Sequence, residues 1–170
     1  AFNQMTLRGW DAEAAYAEAT APAKGEALRI CRDSRTVYGH DFSLTFAGQG
    51  WLEDFTLRGR KMIAEPLKPL FYRPMTENDY GVRKRARNAH IYQSHKALRN
   101  PHFVMTMFLM EQKGENVEVY TEYRIDELGA TATLVYTIAP DGTVAVKEKF
   151  HPNKSYKLNI TSMLRFGVAL

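Results

Sequence analysis

Phe71-Tyr72-Arg73-Pro74-Met75-Thr76-Glu77-Asn78-Asp79-Tyr80-Gly81 is the stretch on which the reading of this chain turns. Pro74 has no backbone N–H and pushes Arg73 towards extended geometry, so the strand that carries Phe71 is predicted to end here. Thr76, Asn78 and Asp79 can bond neighbouring backbone groups, and Gly81 tolerates a positive φ, which favours a tight, internally bonded loop. Within seven residues the loop gathers one guanidinium, two carboxylates and one amide. Two readings follow from that chemistry: a corner that satisfies its own polar groups, or a surface that offers them to something else.

The run resembles the Phe-Trp-Arg-Ala-Pro-Thr-Asp-Asn-Asp motif in the C-terminal domain of glycoside hydrolase family 2 β-galactosidases. Arg73, Thr76, Asn78, Asp79 and Gly81 fall on matching positions. Tyr72 replaces the usual Trp and Glu77 the usual Asp, while Pro74-Met75 stands where Ala-Pro is commoner.

Upstream of the motif the pattern is β. Ala27–Cys31 and Thr36–Gly39 are two candidate strands around the polar turn Asp33-Ser34-Arg35. Phe42, Leu44 and Phe46 alternate with Ser43 and Thr45, as in a strand with one buried face. Gly48-Gln49-Gly50 turns the chain into Trp51–Leu57, and Arg58-Gly59-Arg60-Lys61 is another turn. Further back, Asp11 can cap a short helix across the Ala- and Glu-rich run that ends at Pro22. About ten residues is marginal for an isolated helix, so a linker is expected. Ala1–Leu7 suits a short strand, and the resemblance makes it the last strand of a preceding immunoglobulin-like domain. Residues 1–25 are therefore expected to be that domain's end plus linker, and 26–170 the first part of the C-terminal domain.

Downstream, Ile91, His95 and Leu98 fall at i, i+4 and i+7, which predicts a short amphipathic helix over 86–98, stopped by Asn100-Pro101. Phe103–Met110 is apolar on both faces, as expected of a strand deep in a sandwich. Val117–Ile125 alternates apolar with polar residues and should have one wet face. Thr131–Ile138 and Val144–Phe150 flank the hairpin turn Pro140-Asp141-Gly142. Met163-Leu164-Arg165-Phe166-Gly167 resembles the Pro-Arg-Phe-Gly turn of the same domain family. Regular strands joined by short turns predict an all-β antiparallel sandwich with one short helix; the resemblance implies the large galactose-mutarotase-like form of that sandwich.

The 170 residues, 45% hydrophobic, suffice for one domain with a real core, and no apolar run approaches the length of a membrane span. Because the chain opens on Ala1 rather than Met, it is read as an excised piece of a longer polypeptide. Its single Cys31 allows no internal disulfide. Much of the net charge of +4 lies in Arg83-Lys84-Arg85 and Arg87. No nucleic-acid motif or aromatic stacking pattern accompanies that cluster, which reads as solvated. His90, His95 and His102 lack the i, i+4 spacing of a helical metal pair, and no Cys or Asp arrangement completes a site.

Glu77 and Asp79 invite comparison with a glycosidase pair, but a retaining enzyme needs two carboxyl groups about 5–5.5 Å apart across the sugar. In the family the catalytic glutamates lie in a separate barrel, so no catalytic residue is expected in this chain. The resemblance instead implies an active-site wall, with Arg73, Glu77, Asn78, Asp79 and Arg83 as candidate substrate-binding residues. Trp51, Tyr72 and Tyr80 are candidates for stacking on a sugar, with core packing the expected role of Trp51. No cofactor is expected in this chain; Mg or Na would belong to other domains of the parent. The expected partners are β-galactoside sugars and the parent's other domains, with a homo-oligomeric parent left open and neither nucleic acid nor membrane. For the parent's compartment the resemblance leaves bacterial cytoplasm and periplasm open. A stand-alone carbohydrate-binding module and a purely structural interdomain or oligomerisation domain remain as alternatives.

Overall fold

The computed structural model describes residues 11–21, 25–46, 48–74, 76, 96–153 and 165–169. Five short strands form an antiparallel meander: β1 (Arg29–Cys31), β2 (Thr36–Tyr38), β3 (Phe42–Phe46), β4 (Leu52–Leu57) and β5 (Arg60–Lys61). The alternation of β3 translates directly into burial, with Phe42, Leu44 and Phe46 inside and Ser43 and Thr45 half-buried on the other face. Next, β6 (Lys68–Pro69) pairs with β11 (Val168–Ala169), a hundred residues further on. The second large sheet is built from β7 (Val104–Lys113), β8 (Asn116–Ile125), β9 (Ala130–Ile138) and β10 (Val144–Pro152), in the order β10-β9-β8-β7.

Turn chemistry joins these strands as the sequence predicts. At the β9–β10 hairpin, Ala139 N–H donates to Thr143 O at 2.9 Å and Thr143 N–H to the Asp141 carboxylate at 2.9 Å. Gly142 there has φ +88°, where a side chain would be strained. Between β8 and β9 a 3₁₀ turn, Asp126–Leu128, buries Leu128 and closes on left-handed Gly129.

The two sheets pack face to face, as an all-β sandwich requires. Leu44, Phe46 and Leu52 from the meander meet Val119, Leu134 and Tyr136 from the second sheet. Phe46 lies 5.1 Å from the Tyr136 ring, edge to face, and 6.1 Å from Phe108. A cross-sheet hydrogen bond, Thr121 hydroxyl to Gly50 O at 3.1 Å, is fully buried. A second cluster closes the far end of the same face: Phe71, Leu98, Ile125, Leu128, Ala130 and Ala132.

Three expectations change. Residues 12–19 form a helix, α1 (Ala12–Ala19), rather than linker, with the Asp11 carboxylate accepting from the N–H groups of Glu13 and Ala14. What an isolated eight-residue helix lacks, docking supplies. The Tyr16 and Thr137 hydroxyls share a 3.1 Å hydrogen bond, Lys147 sits 5.0 Å over the Tyr16 ring, and Asn116 donates to Thr20 O at 2.8 Å. The second change concerns β7, which lies at the edge of its sheet and leaves Met107 and Leu109 each 46% exposed. Its apolar run resembles a central strand, yet β8 and β9, richer in Thr and Glu, hold the centre. Third, the segment Arg58–Lys61 is only half turn, because Arg60 and Lys61 pair with Leu57 and Thr56 as β5. Most of the helix expected over 86–98 lies outside the described residues; Lys96 and Ala97 are helical and Leu98 is fully buried. The strand expected over residues 1–7 also lies outside them.

Candidate functional site

The motif begins inside the second core cluster. Phe71 is 1% exposed, and its ring lies 5.0 Å from Phe150, 6.0 Å from Phe103 and 6.1 Å from Phe166. With Phe71 fixed in this way, the next residue of an extended chain must face outward. Tyr72 does, half-buried, with the Arg99 guanidinium 5.7 Å from its ring centre. Arg73 is also half-buried and donates from Nη1 to Pro74 O at 3.0 Å. Pro74 and Thr76 are exposed. Of the five predicted substrate-contact residues, Arg73 alone is described; Glu77, Asn78, Asp79 and Arg83 lie outside the described residues.

Two open clefts flank the 3₁₀ turn that packs against Phe71. One, of about 510 Å³, is lined by Lys96, Ala97, Arg99, Asn100 and Glu127. It adjoins the motif through the contact between Arg99 and Tyr72. The other, of about 540 Å³, runs along the ends of β8, β9 and β10, where Arg124, Thr131 and His151 stand in one cross-strand row. In that cleft Arg124 Nε donates to Asp126 at 2.7 Å.

The described lining of the clefts is polar. The lining of the first cleft offers an ammonium, a guanidinium, an amide and a carboxylate, a set able to bond hydroxyl-rich molecules. Among the described residues each cleft has a single carboxylate in its lining, Glu127 or Asp126, whereas glycoside hydrolysis needs two placed across the sugar. Among the described residues no group of three or more His, Cys, Asp or Glu side chains could hold a metal ion. His90 and His95 lie outside the described residues, and His102 is exposed. No described helix is long and apolar enough to cross a membrane.

Trp51 takes the packing role expected of it. It is half-buried, edge-on to Phe103 at 6.0 Å, with the Lys68 ammonium 5.2 Å over its ring. Tyr80 lies outside the described residues. Sequence reasoning missed Lys96, Arg99 and Glu127. The nearest signal was the apolar Leu98, whose burial leaves its charged neighbours Lys96 and Arg99 to line the cleft, with Arg99 beside Tyr72.

The geometry defines a class, an antiparallel all-β sandwich of two packed sheets with polar clefts beside the 3₁₀ turn. Residues 38–170 match the family described as beta galactosidase small chain. The chain belongs to that family. It is also similar to a β-galactosidase of Halalkalibacterium halodurans, with 27% identity over 119 residues. That alignment covers 69% of this chain and 11% of the relative, so the chain spans about a tenth of the relative's length.

Proposed function

We propose that this chain is the first part of the C-terminal sandwich of a glycoside hydrolase family 2 β-galactosidase, and that it forms a carbohydrate-facing wall. In this reading the parent removes terminal β-galactose with retention, using glutamates of a barrel domain, and the chain positions substrate without performing chemistry. The observation that carries the reading is that the family match runs through the motif, and the motif leaves the core beside an open cleft lined by Arg99, Lys96 and Glu127.

Steady-state kinetics on a full-length parent test this. Arg99→Ala is expected to raise KM for a galactoside several-fold with little change in kcat, the signature of lost positioning rather than lost chemistry. Changes within 82–90 are expected to act the same way. Unaltered kcat and KM in both sets would leave the wall reading without support. The chain by itself is expected to show no hydrolysis of a chromogenic β-galactoside, since acid and nucleophile are supplied elsewhere. Turnover by purified chain that Glu77→Gln abolishes would overturn that part.

A further inference from the structure

Several buried polar atoms have no hydrogen-bond partner, among them Trp51 Nε1, the hydroxyls of Tyr123 and Tyr136, and both carboxyl oxygens of Glu148. Native interiors leave few such groups, and each costs free energy. Glu148 is the exceptional one because both oxygens of its carboxyl group lack a partner, whereas Asp54, the other described carboxylate with such an atom, has Lys61 Nζ 3.6 Å away and accepts from Thr56. Its place follows from register: Val146 lies opposite Tyr136, Glu148 opposite Leu134 and Phe150 opposite Ala132, so Glu148 shares the inner face with those core residues. Lys147 and Lys149, its neighbours in sequence, point to the other face, where Lys147 Nζ lies 3.4 Å from Glu13 of α1.

We propose that β10, with the helix docked on it, is a pH-controlled latch, held shut while Glu148 carries its proton and loosened when the carboxyl group ionises. Protonated, the side chain is a modest polar burden in an apolar layer. Ionised, it is an unpaired buried charge, which costs far more. On the facing strands the same sheet face carries two titratable groups among the described residues, Tyr136 of β9, which feels the Glu148 charge, and Tyr123 of β8. Burial pushes both phenols well above their ordinary range, so neither supplies a charge. The strand opposite presents Leu134, β8 presents Thr121 in the same row, and the Phe71 segment presents an aromatic ring to Phe150. Burial alone acts on the Glu148 carboxyl and pushes it up to about 7. β10 can respond because, among the described strands, it lies at the edge of the four-stranded sheet and is bonded to β9 alone.

The sign follows from linkage. The closed state holds its proton to higher pH than an open state in which Glu148 is solvated and has an ordinary carboxyl pKa. Closure is therefore favoured at low pH and weakens as pH rises from the ordinary carboxylate range to about 7, beyond which the effect levels off.

Hydrogen exchange on the whole chain, expressed as protection factors to remove intrinsic base catalysis, tests the latch. Protection of the β10 amides is expected to fall about tenfold between pH 5.5 and 8, while β8 changes little. Glu148→Gln, neutral at every pH, should abolish that fall. A carbon-13 titration of the Glu148 carboxyl in the unaltered chain should show a midpoint near 7. A midpoint in the ordinary carboxylate range, equal loss of protection in β8 and β10, or an undiminished fall in Glu148→Gln would each overturn the proposal.

Discussion

Gly50 and Phe71 hold the two ends of the sandwich, and each makes a sharp prediction. Gly50 has φ +74°, and a Cβ placed on it would come within 2.6 Å of Thr121 Cγ2 and 2.9 Å of Met105 Sδ. Thr121 is β-branched and sits in a central strand, so it has little room to yield. Gly50→Ala should therefore combine left-handed strain with overpacking and cost roughly 2–4 kcal/mol, read from a urea melt. A midpoint shift no larger than that of an exposed-loop glycine such as Gly48 would count against this account. Phe71→Ala removes a fully buried ring from among Phe103, Phe150 and Phe166 and should cost about 3–5 kcal/mol. Tyr72→Ala, one residue on and facing outward, should cost much less. At this scale the sequence was informative about Phe71, because Pro74 marks the end of its strand. It was silent about Arg99 and Glu127, which line one cleft only because the 3₁₀ turn packs against the segment around Leu98.

At the level of elements, legibility tracked how local the cause is. The alternation in β3 and β8 and the turn at Pro140-Asp141-Gly142 are decided within a few residues, and all three appear where the sequence places them. Helix α1 and the edge position of β7 are decided by partners more than ninety residues away or by strand order, and both were misread. The helix gives a test of that distinction. Asp11→Ala deletes the acceptor for two backbone N–H groups and should cost the helix about 1 kcal/mol. Tyr16→Phe deletes the bond to Thr137 and should have a similar effect on docking. Either variant should speed hydrogen exchange in residues 13–19 while leaving exchange in β8 unchanged. If β8 loses protection in step with the helix, α1 is an integral part of the core rather than a docked accessory.

Across the whole molecule, what no local pattern reveals is the pairing of β6 with β11 and the division of nine strands between two sheets. Among the described strands that division leaves β7 at an edge, with a consequence for association. Natural edges are guarded by Lys, Pro, bulges or cover. β7 has a register shift between Met105 and Met107, but its residues from Val104 to Met110 include neither charge nor proline. Its outer face exposes Met107 and Leu109, and Arg32 Nη2 already reaches the backbone carbonyl of Met110 at 3.3 Å. The chain is therefore expected to self-associate with rising concentration, through β7 and its outer face. Leu109→Lys adds a charge at a half-exposed site, so it should shift the population towards monomer in sedimentation velocity while changing stability by no more than about 0.5 kcal/mol. A native chain that stays monomeric across the accessible range would remove β7 as an association surface. Association that persists unchanged in Leu109→Lys would move it elsewhere, the opposite edge strand β10 being the next to test.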